Sequence, residues 1–529
     1  MTSGTWGGAA GGAYMAAVSS TFPVAIMKNR FFALGLPGLA LLLSSTAALA
    51  QGVAEQRVVA SLPQLDARIE AARRAYDTPA LAVAIVSGRR LIHFRGFGTK
   101  DAGGKPPDID TAFRVGSTTK AFVGALLGQQ VEQGRLAWSD RVVDVEPGFR
   151  LADPAATREF QVIDLLAQRS GLPPYALGYM MALNYPQDAM VRGLAYVQPV
   201  APFRTAFAYQ NALHSVAGRI IARKAGTADW AEVLRRDLLV PLGMFNSSVG
   251  QGAYLEMPNR AAGYEIDVFS GRPQPTRPDY SSIADMTDPL PAGSLNASAG
   301  DMARWLRLQL GRGTLDGQQF LRRDTVEAGW RPLVDIGEGG VFLPGAQVGY
   351  ATGWMVEQRP DALMVWHNGG LAGFKTDLAF LPDHDLGIVV LSNLSESPAT
   401  ALAVRYFLEY ALNLPPQDVM PDPARRLDRP AGRGLRPAAD YVGLYANPAG
   451  GPARVEETVD GLRIVAAEAA VALRLQPLND DSFVAFLDLP PRAGIVPQPL
   501  AVLSFERDTR GVSAFTFEED ASARFARQR

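Results

Sequence analysis

Three short constellations in this chain combine residue types that can cleave a carbonyl compound. The first is Ser117-Thr118-Thr119-Lys120, opening a segment with helical apolar spacing. Residues three apart share a helix face, so a lysine nitrogen there can reach the serine oxygen. A serine hydroxyl is a weak nucleophile and needs an adjacent base. An amine serves as that base only if burial or cationic neighbours lower its pKa. At a helix start the Ser117 backbone N–H also faces outward, where it can hold an oxyanion. Taken alone, the four residues could equally be a capping serine followed by a surface lysine.

The second constellation is Phe207-Ala208-Tyr209-Gln210-Asn211. A phenol at Tyr209 could accept and return the proton that moves from nucleophile to leaving group. The Asn211 amide could orient a substrate carbonyl or hold Lys120. The bland alternative is a buried tyrosine with its hydroxyl satisfied. The third is Trp366-His367-Asn368-Gly369-Gly370. Glycines let a substrate backbone approach a strand closely, with Asn368 and Gly369 beside it. Gly370 is the candidate for a second oxyanion donor. His367 would place a positive or hydrogen-bonding group beside the nucleophile, although a lone histidine is more often structural.

Composition narrows the chemistry. Cysteine is absent, which excludes a disulfide, a thiolate nucleophile, cysteine-bound zinc and a cysteine-linked lipid anchor. The histidines, His93, His214, His367 and His384, show no close metal-ligand spacing, so neither metal nor cofactor is expected. The 51 basic and 53 acidic residues leave a formal charge of -2, with no basic field for nucleic acid. With 47% hydrophobic residues the chain can build a large core, and 529 residues call for more than one domain.

The elements that must position these residues read as alternating strands and helices over residues 55–413. Ala80–Val86 and Leu91–Phe94 read as two strands across a Ser87-Gly88 turn. Ser117–Gly134 and Asp301–Leu310 read as helices, and Leu378–Leu381 with Gly387–Leu391 as a strand pair. A Pro- and Arg-rich linker follows over 414–437. Residues 438–529 then resume as short strands with turn residues between them, which suggests a small antiparallel barrel or sandwich.

Near the N-terminus, Lys28 and Arg30 precede an apolar run from Phe31 to Leu43, and Ala48-Leu49-Ala50 precedes Gln51. That order describes a secretory signal peptide over 1–50, with 1–26 as an extension ahead of a start at Met27. An uncleaved anchor is the alternative, since the apolar stretch is about 20 residues long. Pro37 and Ser44-Ser45-Thr46 favour cleavage. A periplasmic or secreted protein is expected, without stable membrane insertion after cleavage.

The three constellations in this order resemble the serine β-lactamase and penicillin-binding superfamily. More narrowly, the chain is similar to its class C β-lactamase-like group of peptidases, D-aminopeptidases and family VIII esterases. Asp164-Leu165-Leu166 with Arg169-Ser170-Gly171-Leu172, Pro241-Leu242-Gly243-Met244 and Pro291-Ala292-Gly293-Ser294 match as well. The likeness covers most of residues 60–411. It implies an α/β fold, an antiparallel sheet flanked by helices plus an all-α cluster, with the site between them. It also implies that Ser117 is the acylated nucleophile, Lys120 and Tyr209 the proton-handling pair, and the Ser117 and Gly370 N–H groups the oxyanion hole. Tyr441-Val442-Gly443-Leu444-Tyr445 looks like the opening of the lipocalin-like domain appended to some peptidases of the group, either a packing or oligomerisation module or a lid.

His367 and Asn368 stand where β-lactamases of this group have lysine and threonine. A cationic lysine favours the carboxylate of a β-lactam, and histidine is more permissive. The expected activity is therefore that of a peptidase or amidase on small or linearised peptides, with D-residues among them. An esterase or β-lactamase is the runner-up. A non-catalytic ligand-binding sensor is the reading from another class. The expected partners are a small peptide or ester substrate and a second copy of the chain in a homo-oligomer.

Overall fold

The structure, a computed structural model, describes residues 39–267, 270–277, 289–417, 436–489, 499–518 and 520–528. Residues 1–38, with the charged start and most of the apolar run of the expected signal segment, lie outside them, as do 418–435 of the expected linker. Helix α1 (Leu39–Ala75) continues through the expected cleavage point after Ala50. No helix among the described residues is long and apolar enough to cross a membrane.

The central sheet has eight antiparallel strands. They are β1 (Ala80–Ser87), β2 (Leu91–Gly98), β3 (Val334–Gly339), β4 (Ala346–Tyr350), β5 (Met355–Gln358), β6 (Leu363–Leu371), β7 (Phe374–Leu381) and β8 (Leu386–Ser392). Their spatial order is β3-β4-β5-β6-β7-β8-β1-β2. β1 and β8 are buried along their whole length. Helices cover both faces there, so these strands read as continuous apolar runs instead of alternating ones.

The remaining long helices are α2 (Thr119–Glu132), α3 (Ala212–Ala225), α4 (Ala299–Leu310) and α5 (Pro398–Ala411). One sheet face carries α1 and α5; the other carries α4 and, beyond it, the helical cluster that contains α2 and α3. The Ser298 hydroxyl caps α4 by accepting from Asp301 N at 3.1 Å.

Residues 443–527 form a closed eight-stranded barrel whose strands neighbour one another in chain order. Closure removes the sheet edges. Buried Tyr441, Tyr445, Phe505, Phe515 and Phe525 stack through the barrel core. The barrel docks on residues 177–192 of the helical cluster.

One ion-pair cluster organises the backbone beneath the site. Asp164 is fully buried and accepts from Arg169 at 2.8 Å and from Arg204 at 2.5 Å. Arg204 N in turn donates to Arg169 O at 2.8 Å. The segment before Tyr209 is thus tied to the segment before Gly171. Asp164→Ala would leave two guanidinium groups facing an uncharged pocket, and breaking a buried pair this way costs roughly 3–5 kcal/mol. Chemical denaturation of the variant is expected to show a loss of that size, and a change under about 1 kcal/mol, as for an exposed pair, would remove the cluster from the scaffold.

Candidate active site

Ser117 does not sit in α2 itself. It occupies a single 3-10 turn, Gly116–Thr118, and α2 begins at Thr119. Gly116 has φ +55°. A Cβ there would come within 2.9 Å of Gly370 N, so only glycine lets this turn lie against β6. A Cβ on Gly369 would likewise meet Val115 O at 2.0 Å. β5 pairs with β6 only at Leu363–Trp366, so from His367 onward β6 is clear of β5 and takes the Val115–Ser117 turn beside it. This close backbone approach sets Ser117 and Gly370, both partly exposed, next to each other.

Lys120 is fully buried. Its Nζ lies 3.0 Å from Ser117 Oγ, 2.7 Å from Asn211 Oδ1 and 2.9 Å from Ala292 O. It also stands 4.6 Å from the centre of the Tyr209 ring. Burial drives its pKa well below the usual lysine value. A neutral amine has two hydrogens and one lone pair. Asn211 Oδ1 and Ala292 O accept the two hydrogens, which leaves the lone pair for the Ser117 hydroxyl. The arrangement can therefore take a proton from Ser117. Of the two roles open to Asn211, its carbonyl oxygen has the second, holding Lys120.

Tyr209 shares a hydrogen bond with Ser117. Burial first, then Tyr350, hold its phenol well above the ordinary tyrosine range, while the bond to Ser117 pulls the other way. The phenol stays protonated, suited to relaying a proton and not to being a standing base.

Of the two readings open to His367, the geometry favours the hydrogen-bonding one. Burial, then Lys120, push its pKa down to about 3. Its Nδ1 lies 2.5 Å from Asn368 O, and its Nε2 lies 3.1 Å from Tyr350 Oη. A carbonyl can only accept, so Nδ1 carries the hydrogen and Nε2 accepts from Tyr350. His367 is a neutral, fully buried hydrogen-bonding group, and the positive charge considered for it is absent. Asn368 alternates to the opposite sheet face, the side of Trp366, across from Asp377. Its side chain thus stands apart from the group around Ser117, and its carbonyl is what joins that group through His367. His214 lies buried one turn into α3, held neutral by burial and then by Lys120 and His367. No carboxylate contributes to the shift of Lys120, His214 or His367.

Sequence reading missed Gln168. Its side chain clamps the peptide of Gln210, accepting from Gln210 N at 2.5 Å and donating to Gln210 O at 3.1 Å. It also bonds the Tyr350 hydroxyl that serves His367. Gln168 is 1% exposed and holds φ +55°. A side chain accepts that backbone only where its surroundings demand it. One amide thus spaces Tyr209 and Asn211 and links them to β6. The only sequence signal was its place directly ahead of the Arg169-Ser170-Gly171-Leu172 match.

The chain matches the Beta-lactamase family over residues 65–412. It belongs to that family of serine hydrolases. The unguisins hydrolase of Aspergillus violaceofuscus is 24% identical to this beta-lactamase family member over 492 residues, 82% of this chain and 84% of its own length. Penicillin-binding protein 4 of Amycolatopsis lactamdurans is 25% identical over 333 residues, 62% of this chain and 84% of its own. Among solved structures, the octameric penicillin-binding protein homologue from Pyrococcus abyssi aligns with a TM-score of 0.59 at 20% identity. That alignment covers 88% of this chain and 99% of the other. SurE aligns with a TM-score of 0.53 at 21% identity over 90% of this chain and 100% of its own. These structural likenesses are likenesses of fold.

Two variants probe the site of this beta-lactamase family chain. Lys120→Arg keeps the length but stays protonated, and kcat/KM on a p-nitrophenyl ester is expected to drop roughly 10²–10⁴-fold. In the wild type the same quantity should fall as pH drops through the lowered lysine pKa, because a protonated amine cannot accept from Ser117. A pH profile without that acid limb would remove Lys120 as the acceptor. Gln168→Glu replaces the donating amide by an acceptor, leaving Gln210 O and Tyr350 without their bond. A fall in kcat on the order of tenfold at little-changed KM is expected, and a change confined to KM would count against a positioning role.

Proposed function

We propose that the chain cleaves amide bonds of small or linearised peptides, including peptides with D-residues, through an acyl-enzyme on Ser117. The observation that carries this reading is the set of partners around Lys120 Nζ, all three of them neutral oxygens in a fully buried place. Such a lysine is a base aimed at one hydroxyl, which a protein that merely captures a ligand has no need to maintain.

In the proposed cycle Ser117 Oγ attacks the scissile carbonyl carbon and its proton passes to Lys120 Nζ. The tetrahedral oxyanion accepts from the N–H groups of Ser117 and Gly370. Tyr209 relays a proton to the departing nitrogen, the C–N bond breaks, and an amine leaves. Water then attacks the acyl-enzyme, gives its proton to the Lys120–Tyr209 pair and releases the acid, restoring Ser117.

The neutral state of His367 supports peptides over β-lactams, because the third motif supplies no cation for a β-lactam carboxylate. The relative named for hydrolysing unguisins supports a hydrolytic role. Esters are the second reading, since the same acyl-enzyme chemistry cleaves them. A periplasmic or secreted location and a homo-oligomer belong to the same proposal.

Turnover of three substrates by the mature protein separates these readings: a D-residue peptide, a chromogenic cephalosporin and a p-nitrophenyl ester, each with a Ser117→Ala blank. The peptide is expected to show the highest kcat/KM, and Ser117→Ala to show none. A higher value for the ester or cephalosporin would overturn the peptidase assignment. Equal labelling of wild type and Ser117→Ala by a fluorophosphonate would overturn the nucleophile.

A further inference from the structure

The barrel grips one short stretch of the catalytic part through backbone atoms. Asp520, 8% exposed, accepts through Oδ2 from Tyr179 N at 3.1 Å. Ser522 Oγ accepts from Leu177 N at 2.8 Å. Asp520 Oδ1 accepts from Ser522, so the two side chains hold each other in place. The Tyr179 hydroxyl donates to Asn447 Oδ1 at 3.1 Å, and its ring packs 5.8 Å from Phe517 and 5.5 Å from Phe525. Tyr185 adds a bond to Gly450 O at 3.0 Å. A Cβ on Gly450 would come within 2.4 Å of the Tyr179 hydroxyl, so the two surfaces meet closely.

The gripped stretch is strained. Tyr175 has φ +57° and Leu177 has φ +64°, a region that residues with a Cβ avoid unless their surroundings impose it. On its other side the same turn touches the reacting group. Tyr175 N donates to Tyr209 O at 2.7 Å, and the two rings lie 5.4 Å apart. Gly178 N donates to Tyr175 O at 2.8 Å, which links the gripped end of the turn to the end at Tyr209.

We propose that the barrel is a positioning element for the active site: Asp520 and Ser522 hold the Tyr175–Tyr179 turn in its strained form, and that turn holds Tyr209 against Ser117 and Lys120. The inference rests on the reading of Ser117, Lys120 and Tyr209 as the reacting group. It makes the barrel part of the catalytic scaffold, neither a lid over the substrate nor a spacer. Asp520, Ser522 and Tyr175 act through Tyr209 and touch no substrate.

The test uses the full chain, p-nitrophenyl butyrate as probe and four variants: Asp520→Ala, Ser522→Ala, Tyr175→Gly and the Asp520→Ala/Tyr175→Gly double. Asp520→Ala is expected to lower the acylation rate on the order of tenfold, with KM little changed. Ser522→Ala removes a single bond to the turn and is expected to lower the rate about threefold, in proportion to a net hydrogen bond. Glycine adopts a positive φ without strain. With Tyr175→Gly one of the two strained residues is relieved, so Asp520→Ala should cost less in that background.

Wild-type acylation in both barrel variants would overturn the proposal, as would an effect on KM alone or an Asp520→Ala cost undiminished by Tyr175→Gly. Should Asp520→Ala lower the melting temperature so far that the barrel unfolds, Ser522→Ala decides. Ser117→Ala is run alongside. If it still acylates, the reacting-group reading fails and this inference with it. If it is inert while the barrel variants react normally, this inference alone fails.

Discussion

An ammonium ion in the place Lys120 occupies would need a counter-charge, because moving a charge out of water into a protein interior is costly unless it is paired. Among the described residues no carboxylate pairs with it; the amine meets a serine hydroxyl, an amide oxygen and a backbone carbonyl. The rest of the site follows from that constraint. His214 and His367, buried bases nearby, are driven neutral as well, so several uncharged proton acceptors surround the serine. Tyr209 is pushed the opposite way and keeps its proton. The same burial that removes the proton from the amine keeps it on the phenol, and the two groups flank one hydroxyl.

Such an arrangement tolerates little displacement, and the chain pins each contributor by its backbone. The turn carrying Ser117 is set against β6 by two glycines whose neighbours leave no room for a Cβ. The segment carrying Tyr209 and Asn211 is clamped at the Gln210 peptide by Gln168. Asp164 ties the stretch before that segment to the stretch that carries Gln168, through two arginines. Several of these supports hold a side-chain residue at positive φ, Gln168, Tyr175 and Leu177 among them. Strain of this kind persists where contacts over-determine the backbone.

Much of the framework was legible in the residues. The apolar periods of Ser117–Gly134 and Asp301–Leu310 correspond to α2 with its leading turn and to α4, and the apolar runs at Ala80 and Gly387 to β1 and β8. The short strands after Gly443 close into a barrel. These features depend on local spacing, which a sequence displays directly. Gln168 and Tyr350 were not legible, because a glutamine beside an arginine and a tyrosine in a strand carry no mark of what they face. The face taken by Asn368 was hidden too, since alternation along a strand does not say which of its faces meets the site.

The sequence by itself determined which groups could react: a serine three residues from a lysine, a tyrosine two residues from an asparagine, and a glycine pair beside a histidine. Residue type and short spacing carry that information because they set nucleophilicity, donor pattern and steric reach. Tertiary structure decided the protonation of those groups and what holds them. Charge state depends on burial and on neighbours that are remote in the chain, and only folding brings Ala292, Asn211 and His367 around Lys120. Likewise, only packing lays Asp520 and Ser522 of the barrel onto the turn beside Tyr209.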